Sequence, residues 1–321
     1  MRFGFISHVV GDDGDSARVL REAVELARIA EEAGFDSFWI AEHHFGVQRA
    51  HCPSPLILAA AVAEHTERIR LGTAALVGSL HDPIRLAADA AMVDTLSGGR
   101  LELGLGAGAD AETSRRFGRD HDARHELFTA LLDELDELLA PASDLVPAPT
   151  GLQDRLWVGT ASQEGFDMAM VRGLGVLTGR SSSPHGPRDE IAAHRASRYA
   201  DQMTITGRTP RGGMSRSVLC ADDPGRAAAA LTPGIERWLP TAIAAGRLPE
   251  GYTAADYIAA GNCYVGSGAQ VGADLAADAV YPYATDVLCN VQPAAPSHAA
   301  VVESLRRFGA EVIDPARSAR S

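Results

Sequence analysis

Glu42, His43 and His44 stand side by side at the end of the apolar run Ser37-Phe38-Trp39-Ile40-Ala41, with Phe45 directly after them. A buried strand ordinarily runs on into apolar residues or a turn; this one delivers a carboxylate and two imidazoles. Histidine is the side chain whose unperturbed pKa lets it give or take a proton near neutrality, so proton transfer is the chemistry the run suggests. A hydrogen-bonded structural histidine and a metal-ligand pair are the other two readings. Neighbouring residues of an extended strand point to opposite faces, which makes His43 and His44 a poor chelate. No HExxH is present, since His125-Glu126 is followed by Thr129, and no metal is expected.

A second group lies downstream, in Arg70-Leu71-Gly72-Thr73-Ala74-Ala75, His81-Asp82-Pro83 and the stretch from Ser97 to Gly108. Small residues at strand ends leave room for a flat group against the backbone. Gly104 to Ala109 satisfies a loose GxGxxA pattern, yet a dinucleotide fingerprint opens a helix directly, and Asp110 to Arg116 reads as a polar loop. The chain has no lysine, its 29 cations all being arginine. That excludes a Walker A loop and the Schiff-base chemistry of pyridoxal-phosphate enzymes and aldolases.

These residues need a scaffold, and strand-like and helix-like segments alternate to give one. Residues 3–7, 37–41, 70–75, 101–105, 156–160, 175–177, 216–220 and 286–290 read as strands. Residues 16–33, 55–66, 83–96, 124–140, 163–171, 187–200 and 295–308 read as helices, and a further helix starts near Gly225. Eight βα units predict a closed (β/α)8 TIM barrel, whose chemistry sits at the carboxyl ends of the strands. A single domain over 1–321 is expected, with insertions at about 181–215 and 232–284 on that face. The second insertion carries Gly261 to Gly268 as candidate hinges, and a lid role is expected of one insertion.

Composition limits the partners. A formal net charge of -13 argues against nucleic acid and anionic membranes. No apolar run reaches membrane-spanning length. The start, Met1 to Ile6, lacks a signal-peptide layout, and Cys52, Cys220, Cys263 and Cys289 show no CxxC spacing. A cytoplasmic protein is expected.

The spacing of Glu42-His43-His44-Phe45, Gly72-Thr73-Ala74-Ala75 and Asp94-Thr95-Leu96-Ser97-Gly98-Gly99-Arg100 leading into Gly104 resembles the bacterial luciferase-like flavin monooxygenases, over roughly 1–175 and again over 287–308. The resemblance implies a barrel that binds reduced FMN, supplied by a separate reductase, and uses oxygen through a flavin peroxide on a small organic substrate. Deazaflavin-dependent hydride transfer on the same barrel, or a non-catalytic flavin-binding relative, are its alternatives. A homodimer is expected.

Carried over by residue, His43 matches the proton-transfer histidine beside the flavin, His44 a neighbour that packs or hydrogen-bonds behind it, and Glu42 a group that orients a histidine or an arginine. Ala74-Ala75 matches a non-prolyl cis peptide under the flavin ring, and Arg124 an arginine that binds the flavin phosphate. Thr160, Ala161, Ser162 and Gln163 end a strand and open a helix, where backbone N–H groups suit a phosphate; Ser162 also reads simply as an N-cap. Gly106 and Ala107 stand where luciferases proper have a reactive cysteine and a phosphate-binding arginine. Arg115, Arg116 and Arg180 are the candidates to replace that arginine.

Overall fold

The computed structural model describes residues 1–11, 14–45, 49–180 and 189–318. The chain opens with β1 (Arg2–Ser7), α1 (Ser16–Glu32), β2 (Ser37–Ile40), α2 (Pro55–Ala63), β3 (Arg70–Thr73), β4 (Leu76–Val77) and α3 (Pro83–Leu96). It continues through β5 (Leu101–Gly106), α4 (Ala111–Arg116), α5 (Arg124–Leu138), β6 (Leu156–Gly159), α6 (Gln163–Arg172), β7 (Gly175–Thr178) and α7 (Asp189–Ile205). Then follow β8 (Gly212–Cys220), α8 (Pro224–Ala244), α9 (Ala254–Ala259), β9 (Tyr264–Gly266), α10 (Gly268–Ala276), β10 (Asp286–Asn290), α11 (His298–Phe308) and α12 (Asp314–Ser318). Two compact units emerge: Ile6–Val24 with Ser37–Leu177, and Met1–Phe5 with Glu25–Asp36 and Thr178–Ser321.

In the unit built on Ser37–Leu177, β2, β3, β5, β6 and β7 pair side by side and all parallel. Glycines in these strands accommodate tryptophans. Gly72 lies opposite Trp39 and Gly175 opposite Trp157, and a Cβ added at either would come within 2.1 or 2.4 Å of the facing indole. The two indoles meet edge to face at 5.6 Å. Their N–H groups donate to Ser37 (2.8 Å) and Glu102 (2.7 Å), so both rings are buried with their polar atom paired.

The run from Asp94 to Arg100 serves positioning. Gly98 and Gly99 take φ of 67° and 83°, left-handed values that glycine adopts without steric cost. The turn they make swings Arg100 back, where its guanidinium donates to the carbonyls of Ala63, at the end of α2, and of Thr66 and Ile69 beyond it. Asp94 accepts the N–H of Leu101 and holds both terminal nitrogens of Arg155. β5 is thereby fixed at its start, and with it the small residues at its end.

In the other unit β10 lies between β1 and β8, parallel to both, and β9 pairs with the last three residues of β8. A buried ionic cluster sits here: Asp278 takes Arg216 at 2.7 Å and Arg180 at 2.5 Å, and Arg180 also pairs with Asp189. No helix of the described residues is long and apolar enough to cross a membrane.

Several local expectations change. The expected strand 70–75 breaks at Ala74-Ala75 and resumes as β4. Residues 111–116, read as loop, form α4, because Asp110 accepts the N–H of Thr113 as an N-cap. Gly261 to Gly268, read as hinges, contains β9 and the start of α10, which Ser267 caps. α8 runs on through Pro233 and Pro240, held by the buried stripe Ala227, Leu231, Ile235, Leu239 and Ala242. Of the insertion at 181–215, residues 181–188 lie outside the described residues, as does the expected helix start at Pro187.

Candidate functional site

A histidine, His8, directly follows β1, and another, His43, lies three residues beyond β2. The Ala41 N–H donates to the Ser7 carbonyl at 3.0 Å, and the His43 N–H donates to the Cys52 carbonyl at 3.0 Å, which sets both backbones. His43 Nε2 lies 3.0 Å from His8 Nδ1, and the ring centroids are 5.3 Å apart. The chain turns sharply beyond each: Val9 has φ of 50° and Phe45 of 54°, values costly for side chains of this kind.

Burial and the neighbouring His43 lower the His8 pKa to about 3. Burial also lowers that of His43, the Glu42 carboxylate opposing it and His44 adding to it. Both rings are therefore neutral at pH 7, and one N–H must be shared across the 3.0 Å contact. His43 also lines a cavity of about 450 Å³ with Gly11, Ser16, Phe45 and His51.

Glu42 is buried and fully engaged. Oε1 takes His44 Nε2 at 2.6 Å; Oε2 takes His81 Nε2 at 2.9 Å and the Val77 N–H at 2.8 Å. Burial pushes its pKa up, but these donors outweigh burial and bring it to about 2. The carboxylate thus orients two histidines and ties the end of β2 to β4. His43 and His44 have different partners, and His44 packs edge-on against Phe117 at 4.8 Å.

The Ala74–Ala75 peptide is cis, and the Ala74 N–H donates to the Ile40 carbonyl at 2.9 Å. Around Ala75 the strand ends are bare. Cβ atoms added to Gly106 and Gly159 would lie 3.7 and 3.4 Å from the Ala75 methyl. Ala75, Gly106 and Gly159 form a patch of small groups. Ala107 contributes its carbonyl, which accepts from Ser79 at 2.9 Å.

Arg124 opens α5 half-buried, and its guanidinium donates to the His121 carbonyl at 3.0 Å. No carboxylate pairs with it among the described residues. The arginines that might replace the one missing at 107 are all engaged: Arg115 and Arg116 pair with Glu112, and Arg180 with Asp189 and Asp278. Of these four arginines, Arg124 alone has no carboxylate partner among the described residues.

The turn from Thr160 to Gln163 follows β6, the strand paired with β5. Ser162 caps α6 by accepting the Gly165 N–H at 3.1 Å, and Thr160 Oγ1 accepts the Ser162 N–H at 3.1 Å. Gln163 turns to Asp167 at 2.8 Å. The N-cap reading of Ser162 holds, and Ala161 and Ser162 are exposed.

Sequence reasoning passed over His8. Its signal was the one that singled out His43, a histidine directly after an apolar strand, but it stood alone. It also passed over the Glu42–His81 contact, which joins residues 39 positions apart.

A family described as luciferase-like monooxygenase matches residues 1–286. The oxygenase component of the flavin-dependent trigonelline monooxygenase of Acinetobacter baylyi is 37% identical over 111 residues, 34% of this chain and 31% of that protein. The chain spans about a third of the length of the curated relatives it matches. The FMN-bound structure of the oxygenating constituent of 3,6-diketocamphane monooxygenase from Pseudomonas putida superposes with a TM-score of 0.79 at 21% identity, over 97% of each chain. The coenzyme F420 dependent tetrahydromethanopterin reductase of Methanopyrus kandleri gives 0.70 at 17% identity, over 98% of this chain and 99% of that one. These likenesses show the fold to be a (β/α)8 barrel. The chain belongs to the luciferase-like monooxygenase family.

Proposed function

We propose that this chain is the oxygenase of a two-component flavin-dependent monooxygenase that takes reduced FMN from a separate reductase and uses oxygen on a small organic substrate. The observation that carries the reading is the bare patch of Ala75, Gly106 and Gly159, with Arg124 at the start of α5 free of any carboxylate among the described residues. These residues fit the group: a flat ring needs small neighbours, and a phosphate needs an uncommitted cation.

Reduced FMN, when bound, supplies the electrons that activate oxygen. The chain's own residues do the rest. Arg124 holds the phosphate, joined by Thr160, Ala161, Ser162 and Gln163. Ala74, Ala75, Gly106 and Ala107 let the ring lie against the backbone. His43 moves a proton at Nδ1, and Glu42 keeps His44 and His81 in place. The reading is tested by comparing reduced FMN with reduced riboflavin, which lacks the phosphate: Arg124→Ala should weaken the first far more than the second. Equal weakening of both would make Arg124 a structural residue.

A homodimer belongs to the same proposal. Ile57 on α2 and Ile84, Met92 and Leu96 on α3 are exposed. Three of them, Ile57, Met92 and Leu96, line a groove of about 390 Å³ that also holds the Arg85–Asp89 ion pair. The occupant proposed for this apolar groove is a second copy of the chain. The four buried free thiols suit a reducing cytoplasm. The chain acts as one domain.

A further inference from the structure

We propose that His8 is the positioning residue for His43, and that the two rings form a relay carrying a proton from one outer nitrogen to the other. The inference rests on the reading of His43 as the proton-transfer group.

The geometry starts from the shared contact. His43 Nε2 and His8 Nδ1 are 3.0 Å apart, so one must carry hydrogen and the other a lone pair. Among the described residues, His43 Nδ1 and His8 Nε2 have no protein partner, and neither is a buried orphan. Both outer nitrogens are accordingly within reach of solvent or ligand. His43 lies on the wall of the cavity of about 450 Å³. The left-handed Val9 and Phe45 fix the chain beyond His8 and His44, and the His51 N–H donates to the Val9 carbonyl at 2.9 Å.

The proton count closes. In the starting state His43 carries hydrogen on Nε2 and His8 on its own Nε2, both rings neutral. A proton arrives at His43 Nδ1. The Nε2 hydrogen crosses to His8 Nδ1, and the His8 Nε2 hydrogen leaves to water. Both rings end neutral in the opposite tautomer, with the 3.0 Å hydrogen bond reversed and intact. The return transfer restores them. No ring holds a lasting positive charge, which burial at this place disfavours. The other titratable groups around the pair are Glu42 and His44 beside His43 in the chain, and Arg49 and His51 on the cavity wall. Glu42 is committed to His44, His81 and Val77, so it does not compete for the shared proton.

The test uses 15N-histidine NMR of the full chain without flavin. A scalar coupling across the hydrogen bond between His43 Nε2 and His8 Nδ1 is expected, with both rings neutral at pH 7.5. His8→Asn, which keeps a hydrogen-bonding group near the Nδ1 position, should hold His43 in one tautomer. His8→Leu should leave His43 in both tautomers. No coupling in the wild type, or an unchanged single tautomer in His8→Leu, overturns the positioning role.

The relay is read separately, by the rate at which oxygen reoxidises bound reduced FMN. Asn cannot pass a proton on, so His8→Asn should slow this step by about tenfold or more; a wild-type rate overturns the relay. Absent coupling with reduced FMN still bound defeats the dyad and leaves the proposed function standing. Coupling without any FMN binding does the reverse.

Discussion

The Glu42 carboxylate accepts the Val77 N–H at 2.8 Å, joining the end of one strand to the residue two places past the cis bond. His44 and His81 complete its coordination. Removing the carboxylate leaves three donors facing one another without an acceptor. Glu42→Ala should cost about 1–3 kcal/mol, the range for leaving buried hydrogen-bonding groups unsatisfied. Urea unfolding checks it, and a loss under about 1 kcal/mol would mean that water replaces the carboxylate.

Stability should fall in acid, in two stages. The His8 pKa is lowered from 6.5 to about 3, and that of His43 is lowered as well. Below pH 6.5 the unfolded chain therefore binds protons that the folded chain refuses, so stability decreases as pH falls. Glu42 adds to the loss below 4.5, since its folded value is about 2. Each such group contributes a slope of about 1.4 kcal/mol per pH unit. Denaturant midpoints from pH 7.5 to 4 measure it; His8→Asn should flatten the curve between 6.5 and 4.5. A flat wild-type profile across that window would contradict neutral buried histidines.

His43→Ala should keep the fold and reduced-FMN affinity. General acid–base assistance is worth about 10²–10⁴-fold, so flavin reoxidation by oxygen should change its rate and lose its pH dependence. A variant with a wild-type rate and pH profile would remove His43 from proton transfer.

Ile57→Asp, at a side chain 73% exposed, should leave the fold intact and shift sedimentation from dimer to monomer. An unchanged dimer would place the interface elsewhere on the surface.

The site was legible where its residues lie together in the chain. Glu42-His43-His44 could be read from a strand ending in polar groups, and the strand ends around Ala75 and Gly106 from their small side chains. Long-range pairing was not legible: His8 and His43 are separated by 35 positions, and nothing local marks either as the other's partner. α4 was missed because its six residues, Ala111–Arg116, show no apolar period. A polar stretch so short declares itself only through its cap. β9 was missed because it is only three residues long and ends in Gly266, and its pairing with β8 spans more than forty residues.

Anaerobic titration with reduced FMN and, separately, with the reduced deazaflavin, followed by admission of oxygen, tests the central claim most directly. The account predicts tight binding of reduced FMN, weakened by about 10–100-fold in Arg124→Ala, as expected for a lost hydrogen bond to a charged group. On admitting oxygen it predicts an oxygen-dependent absorbance transient before oxidised FMN appears. Binding of the reduced deazaflavin but not reduced FMN, with no oxygen-dependent transient, would contradict it and make this barrel a hydride-transfer enzyme.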